Sequence, residues 1–248
     1  MNLIGDIGNT EVKICLINTN FKIIKKIVLK TSLISNSYLN KKLSFLNNYK
    51  KHINKALFCS VVPSAFKKIK KFIKKNININ CNELKEFKLS NFLSIKVNKK
   101  QVGSDRLANA LGTIDNKSNY IIVDFGTATT FDVVIKKNYL GGVIAPGVNL
   151  SLNTLSSKAF LIPNINLLKV SNVVGKNTKN AVRSGFYWGY SGLIENIIRL
   201  IIKQTHKSFK IIFTGGQAHL FKKAIKRKIR IDRDLTINGL LKVLKGIE

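Results

Sequence analysis

IIVDFGTATTFDVVI, residues 121–135, consists of two apolar runs folded about a turn that holds Asp124, Gly126 and Thr127. The chain opens on the same design, because MNLIGDIGNTEVKIC, residues 1–15, sets Asp6, Gly8 and Thr10 between apolar runs. Each stretch predicts a β-hairpin with an acid placed just before the turn glycine. One Asp-Xaa-Gly turn is ordinary. Two in equivalent contexts predict an internal duplication.

Working outward from the first hairpin, the pattern predicts a strand at 22–29, then a helix at 38–49 on the spacing of Leu39, Leu43 and Leu46. A strand at 56–62 follows, ended by Pro63, and then a basic helix with Phe66, Ile69 and Ile73 turned inward. A further helix is expected over 104–111. Beyond the second hairpin come a strand at 139–144 and a long helix at 178–203 striped by Ile194, Ile197, Ile198 and Ile201. A strand at 210–213, a helix at 218–226, a strand at 228–231 and a helix at 237–244 close the chain. This is an α/β protein in two halves of similar plan, residues 1–116 and 117–248, with a ligand expected in the cleft between them.

Composition narrows the function. A 248-residue chain that is 45% hydrophobic can bury a substantial core, and with only 3 prolines it has no flexible linker between modules. The uncharged stretch 138–157 contains Gly141, Gly142, Pro146 and Gly147, which excludes a membrane-spanning helix. No basic segment precedes the first strand, so a cytoplasmic protein without membrane attachment is expected. Cys15, Cys59 and Cys81 are too far apart for a zinc or dithiol motif, and His52, His206 and His219 are equally scattered. The formal charge of +31 suggests nucleic acid, yet only six of the 43 basic residues are Arg, and lysines run from end to end. Recognition of phosphate and base edges favours arginine forks. Nucleic acid is therefore not the expected partner.

The turns themselves carry chemistry. A tight turn with glycine beside it presents backbone N–H groups to phosphate oxygens. A carboxylate cannot bind phosphate, so Asp6 and Asp124 are expected to hold the accompanying cation, with Thr10, Thr127, Thr129 and Thr130 beside them. Between the hairpins, QVGSDRLANALG at 101–112 sets Asp105 and Arg106 at the start of a helix. Asp105 could cap that helix and Arg106 could be a surface cation. Phosphoryl transfer, however, needs a carboxylate to take the proton of the attacking hydroxyl, and an Arg can clamp an anionic substrate.

Taken together, DIGNT at 6–10, VGSDR at 102–106, DFGTATTFD at 124–132, GGVIAPGV at 141–148, NTKNAVRSG at 177–185 and TGGQA at 214–218 resemble the type III pantothenate kinases of bacteria. The resemblance runs almost the whole length. It implies the acetate and sugar kinase/actin superfamily, with two duplicated ribonuclease-H-like (actin-like ATPase) domains and an ATP cleft between them. It also implies ATP-dependent phosphorylation of pantothenate to 4′-phosphopantothenate, in coenzyme A biosynthesis. Asp6, Ile7, Gly8, Asn9, Thr10, Glu11, Val12 and Lys13 would bind ATP, joined by Thr127. Gly103, Ser104, Asp105 and Arg106, with Thr178, would bind pantothenate, and Asp105 would be the general base. Asp124 would bind a monovalent cation, K+ or NH4+, and ATP would arrive with Mg2+.

The same resemblance implies a homodimer built on the long helix, where Phe186, Tyr187, Trp188 and Tyr190 cluster. Two departures stand out. Lys96 and Lys99 occupy places where the family usually carries Tyr and Pro, and Gln217 stands where it carries an acid. They leave room for a related small-molecule kinase with another acceptor. A non-enzymatic regulatory or nucleic-acid-binding protein on the same fold is the remaining alternative; the retention of Asp6, Asp105 and Asp124 in so basic a chain argues against it.

Overall fold

The computed structural model describes residues 1–247, which form two compact units. The first comprises Met1–Ile114 and the chain from Asp234 on, and the second Asp115–Arg233.

The first unit runs through β1 (Asn2–Ile7), β2 (Glu11–Ile17), β3 (Ile23–Lys30), α1 (Asn36–Lys42), β4 (Lys55–Ser60), α2 (Pro63–Ile77), β5 (Cys81–Glu83), β6 (Ser94–Ile95) and α3 (Ser104–Thr113). Its sheet has the order β3-β2-β1-β4-β5. β1 to β3 form an antiparallel meander, whereas β4 and β5 are added in parallel, the chain reaching β4 by way of α1 and β5 by way of α2. Leu3, Ile7, Val12, Ile14 and Phe58 meet Ile69, Phe72 and Ile73 of α2 in one core. The lysines of α2 take its outer face. Asn78, in the left-handed conformation at φ 62°, ends the helix with its N–H on the Lys74 carbonyl.

The second unit repeats the plan with β7 (Asn119–Phe125), β8 (Ala128–Ile135), β9 (Asn138–Pro146), α4 (Val148–Lys158), α5 (Thr178–Thr205), β10 (Lys210–Gly215), α6 (Ala218–Lys222) and β11 (Ile229–Ile231). Within the unit the strands lie in the order β11-β10-β7-β8-β9. β7 to β9 are again an antiparallel meander, and β10 and β11 are again parallel additions. Strand for strand this is the topology of the first sheet, so the duplication expected from the two hairpins is a duplication of ribonuclease-H-like sheets. Its core joins Ile121, Phe131, Tyr187, Ile194, Ile198 and Phe213.

The closing helix, α7 (Leu235–Gly246), belongs to the first unit, whereas the sequence division at 116/117 assigned it to the second half. The cause is a tertiary fit. A Cβ on Gly239 would stand 1.8 Å from the Ala108 carbonyl oxygen, so the α7 backbone reaches α3 only because residue 239 lacks a side chain. Buried Thr236 donates its hydroxyl to Asn109 Oδ1 at 2.8 Å across the same seam. α3, which carries Asp105, is thereby clamped between α7 and the sheet.

Three local expectations differ from the structure. The helix expected at 38–49 ends at Lys42 and continues as 3-10 turns, where Ser44 donates its hydroxyl to the Lys41 carbonyl at 3.3 Å. α4 lies in a stretch to which the sequence pattern assigned no element. The helix expected at 218–226 closes at Lys222. Among the described residues no helix is long and apolar enough to cross a membrane.

Candidate active site

In the first unit, the hairpin turn at residues 8–10 is closed by the Gly8 N–H on the Glu11 carbonyl at 2.9 Å. Asp6 sits opposite Lys13 on β2 and Cys59 on β4 in the ladder, so the carboxylate has an ammonium-bearing neighbour on one side and a thiol on the other. Cys59 Sγ donates to Asp6 Oδ1 at 3.5 Å. Burial, then the charges of Asp6 and Asp105, push this thiol well above its ordinary pKa, which keeps the proton needed for that bond. Ile7 and Val12 are wholly buried in the core, leaving only their backbone for a ligand, while Asn9, Thr10 and Glu11 are exposed.

Asp105 lies in the first turn of α3, half-buried, and its Oδ1 accepts the Arg106 N–H at 2.8 Å. Burial raises the carboxyl above the usual Asp range; the Arg106 N–H and then the Arg106 charge draw it back. Gly103 leaves the space this carboxylate occupies, since a Cβ there would stand 2.4 Å from Asp105 Oδ1. Ser104 is buried and its hydroxyl is committed to the fold. It accepts the Ser60 N–H at 2.8 Å and donates to the Ser60 carbonyl at 2.9 Å, tying the start of α3 to the end of β4. What Ser104 can offer a ligand is its backbone at the helix N-terminus.

In the second unit, the turn after β7 is closed by the Gly126 N–H on the Ala128 carbonyl at 3.1 Å, with Gly126 and Thr127 exposed. A Cβ on Gly126 would meet nothing closer than 3.5 Å, so packing does not demand glycine there and the turn stands open. Asp124, partly buried at the end of β7, pairs with Thr214 of β10 and has its carboxylate beside Gly215. Gly215 has φ +84°, and a Cβ on it would lie 2.6 Å from Asp124 Oδ1. Thr129 is wholly buried, while Thr130 donates weakly to Asp132 Oδ2 at 3.5 Å; Asp132 also receives the Tyr139 hydroxyl at 2.6 Å. Thr178 is the first residue of α5 and is exposed, with Asn177 capping the helix through the Asn180 N–H at 2.9 Å.

The departures have structural roles. Lys99 donates to the carbonyls of Lys85 and Phe87 at 2.9 and 3.2 Å, stapling its loop to the preceding turn, and Lys96 is exposed. Gln217 donates to Asn149 Oδ1 at 3.1 Å. Reading the sequence missed Cys59, whose signal was its register opposite Asp6, and Ser60, which has none.

Hard oxygen donors at Asp6 and Asp124 suit Mg2+ or K+. Among the described residues no three His, Cys, Asp or Glu side chains gather into a metal cage. Each carboxylate taken by itself would leave most ligands of such a cation to nucleotide phosphates and water, as Mg2+ has in kinases.

A duplicated ribonuclease-H-like sheet, an acid before the glycine in each hairpin turn, and a carboxylate at a helix N-terminus define a kinase of the actin-like class. A family model described as type III pantothenate kinase matches residues 2–200. The chain is 59% identical over 242 residues to a type III pantothenate kinase of Pelagibacter ubique, covering 98% of each. It is 36% identical over 251 residues to one from a Sulfurihydrogenibium species, covering 97% of this chain and 98% of the relative. Among solved structures, the inorganic polyphosphate/ATP-glucomannokinase of an Arthrobacter species aligns over 100% of both chains with a TM-score of 0.52 at 11% identity, a likeness of fold alone. The chain belongs to the type III pantothenate kinase family.

Proposed function

We infer that this kinase transfers the terminal phosphoryl group of ATP to the primary hydroxyl of pantothenate, producing 4′-phosphopantothenate for coenzyme A biosynthesis. Asp105 takes the hydroxyl proton as the nucleophile forms. The observation that carries this role is a half-buried carboxylate at the N-terminus of α3 whose affinity for a proton is raised by burial. Arg106 clamps the pantothenate carboxylate, and the backbone from Gly103 to Arg106, with Thr178, positions the rest of the acceptor. The turn from Asp6 to Lys13 receives the ATP phosphates through its N–H groups, and Thr127 contacts ATP from the second hairpin. Mg2+ arriving with ATP would supply charge neutralisation for the transferring group. Asp124 would hold the monovalent cation, K+ or NH4+.

The active form is a homodimer joined through α5. A groove of about 390 Å³ runs along this helix, lined by Val182, Gly185, Phe186, Gly189, Tyr190 and Leu193 among others. Of the aromatic cluster, Tyr187 is core and stacks on Phe221, whereas Trp188 is 36% exposed. Phe160 is fully exposed and Leu161 84% exposed in the same unit. So much open apolar surface supports a protein partner. The enzyme works in the cytoplasm.

The test is ATP-dependent formation of phosphopantothenate by the purified protein with and without K+. Product that K+ stimulates supports the reading. A folded protein that turns over ATP only with another hydroxylated acid would assign it a different acceptor.

A further inference from the structure

The turn after β1 is held from behind by a residue outside the hairpin. Thr31, the first residue after the edge strand β3, donates its hydroxyl to the Gly8 carbonyl at 2.7 Å. Its backbone N–H donates to the Thr10 carbonyl at 3.0 Å. β3 contributes little to the core, with Leu29 its one buried residue, and its lysines guard a sheet edge. Its register fixes where Thr31 falls, because the last β2–β3 pair is Glu11 with Lys30.

The two bonds set a direction. The carbonyl of Gly8 and the N–H of Asn9 belong to one peptide plane, and there is no cis peptide in the described chain. They therefore point opposite ways. A hydroxyl that holds Gly8 C=O on the Thr31 side turns the Asn9 N–H to the other side, and Asn9 is exposed there. A donor aimed before the ligand arrives loses less on binding than one that must be ordered.

We propose that Thr31 is a positioning residue for nucleotide phosphate: its hydroxyl orients the Asn9 N–H of the first turn toward the phosphate oxygens. The proposal rests on the assignment of that turn to ATP. Thr31→Val removes the hydroxyl and keeps both the shape and the backbone bond to Thr10. Its expected effect is a roughly three- to tenfold rise in the KM for ATP, the usual worth of one such hydrogen bond. The KM for pantothenate and kcat stay within about twofold, and Thr31→Ser, which restores the hydroxyl, returns the KM for ATP toward the parent value. ATP affinity measured by calorimetry without any acceptor follows the same order, which separates the proposal from the choice of acceptor. Should Thr31→Val fold poorly, the comparison passes to Thr31→Ala against Thr31→Ser. An unchanged ATP affinity in the hydroxyl-free variants, or a loss in kcat alone, overturns the role. If the parent fails to phosphorylate pantothenate yet binds ATP in this hydroxyl-dependent way, the acceptor assignment falls and the role of Thr31 stands.

Discussion

Asp105→Asn is the most informative single perturbation, because it predicts opposite effects on activity and on stability. Asparagine is nearly isosteric, and its Oδ1 can accept the Arg106 N–H that now reaches Asp105 at 2.8 Å. The local geometry of α3 is therefore retained, while the ability to accept a proton is lost. Positioned general-base catalysis contributes about two to four orders of magnitude. That corresponds to roughly 3–5 kcal/mol of barrier. Initial rates of ADP release with pantothenate saturating should fall by that range, with the KM for ATP little changed.

Stability should move the other way. Burial raises the folded-state pKa of Asp105, so the ionised carboxylate is the disfavoured form in the folded protein. Below the ordinary Asp value of 3.8 the carboxyl is neutral in both folded and unfolded states and carries no such cost. As pH rises through the folded-state value, the parent loses stability that the asparagine variant does not lose. Melting temperatures should therefore show Asp105→Asn equal to or above the parent at pH 8, with the difference closing toward acid pH. The acid limb of kcat/KM for the parent should lie above the usual Asp range. Activity within tenfold of the parent would refute the base assignment. A variant less stable than the parent at pH 8 would refute the stated cause of the shift.

Other outcomes follow from particular residues. Asp124→Asn should weaken stimulation by K+ in the pantothenate assay, and an unchanged K+ response would remove Asp124 from the cation site. Gly215→Ala should cost about 1–3 kcal/mol through its left-handed backbone, lowering the melting temperature by several degrees; its Cβ also meets Asp124, so a silent variant would contradict the geometry. Burial raises Cys15 to about 11 and Cys81 to about 12 and pushes Cys59 well above its ordinary value, so a thiol reagent at pH 8 should label the native enzyme slowly and all three after denaturation. Gly189→Arg should yield a monomer by light scattering with no loss of thermal stability in its own fold, because nothing lies within 4 Å of a Cβ there and Arg favours helix over Gly. A dimer that survives would place the interface elsewhere.

The parts of the fold legible in the sequence are those written in local pattern. Asp6-Ile7-Gly8 and Asp124-Phe125-Gly126 each follow a short continuous apolar run and precede another, and the recurrence of that pattern located both hairpins and the duplication. α4 stayed hidden because VNLSLNTLSSK is rich in Asn, Ser and Thr, which disfavour helix; its place is set by Val148 and Leu152 packing into the second unit. The allegiance of α7 was illegible for a different reason. Its apolar stripe says that it packs, but not where, and the choice lies in the meeting of Gly239 with the Ala108 carbonyl.

The site divides along the same line. Residues that would touch ligand fall in short contiguous motifs, because a turn or a helix N-terminus presents neighbours in sequence to one molecule. The residues that hold those motifs come from elsewhere: Thr31 lies 23 positions from Gly8, and Ser104 reaches across 44 positions to Ser60. Such supports need only a hydroxyl at the right place, so composition and spacing carry no signal for them. The proton affinity of Asp105 has the same origin, since it is raised by the burial of the side chain in the fold, which the local motif does not record. Reactive groups can be read from the sequence, but their orientation and pKa are properties of the packing that surrounds them.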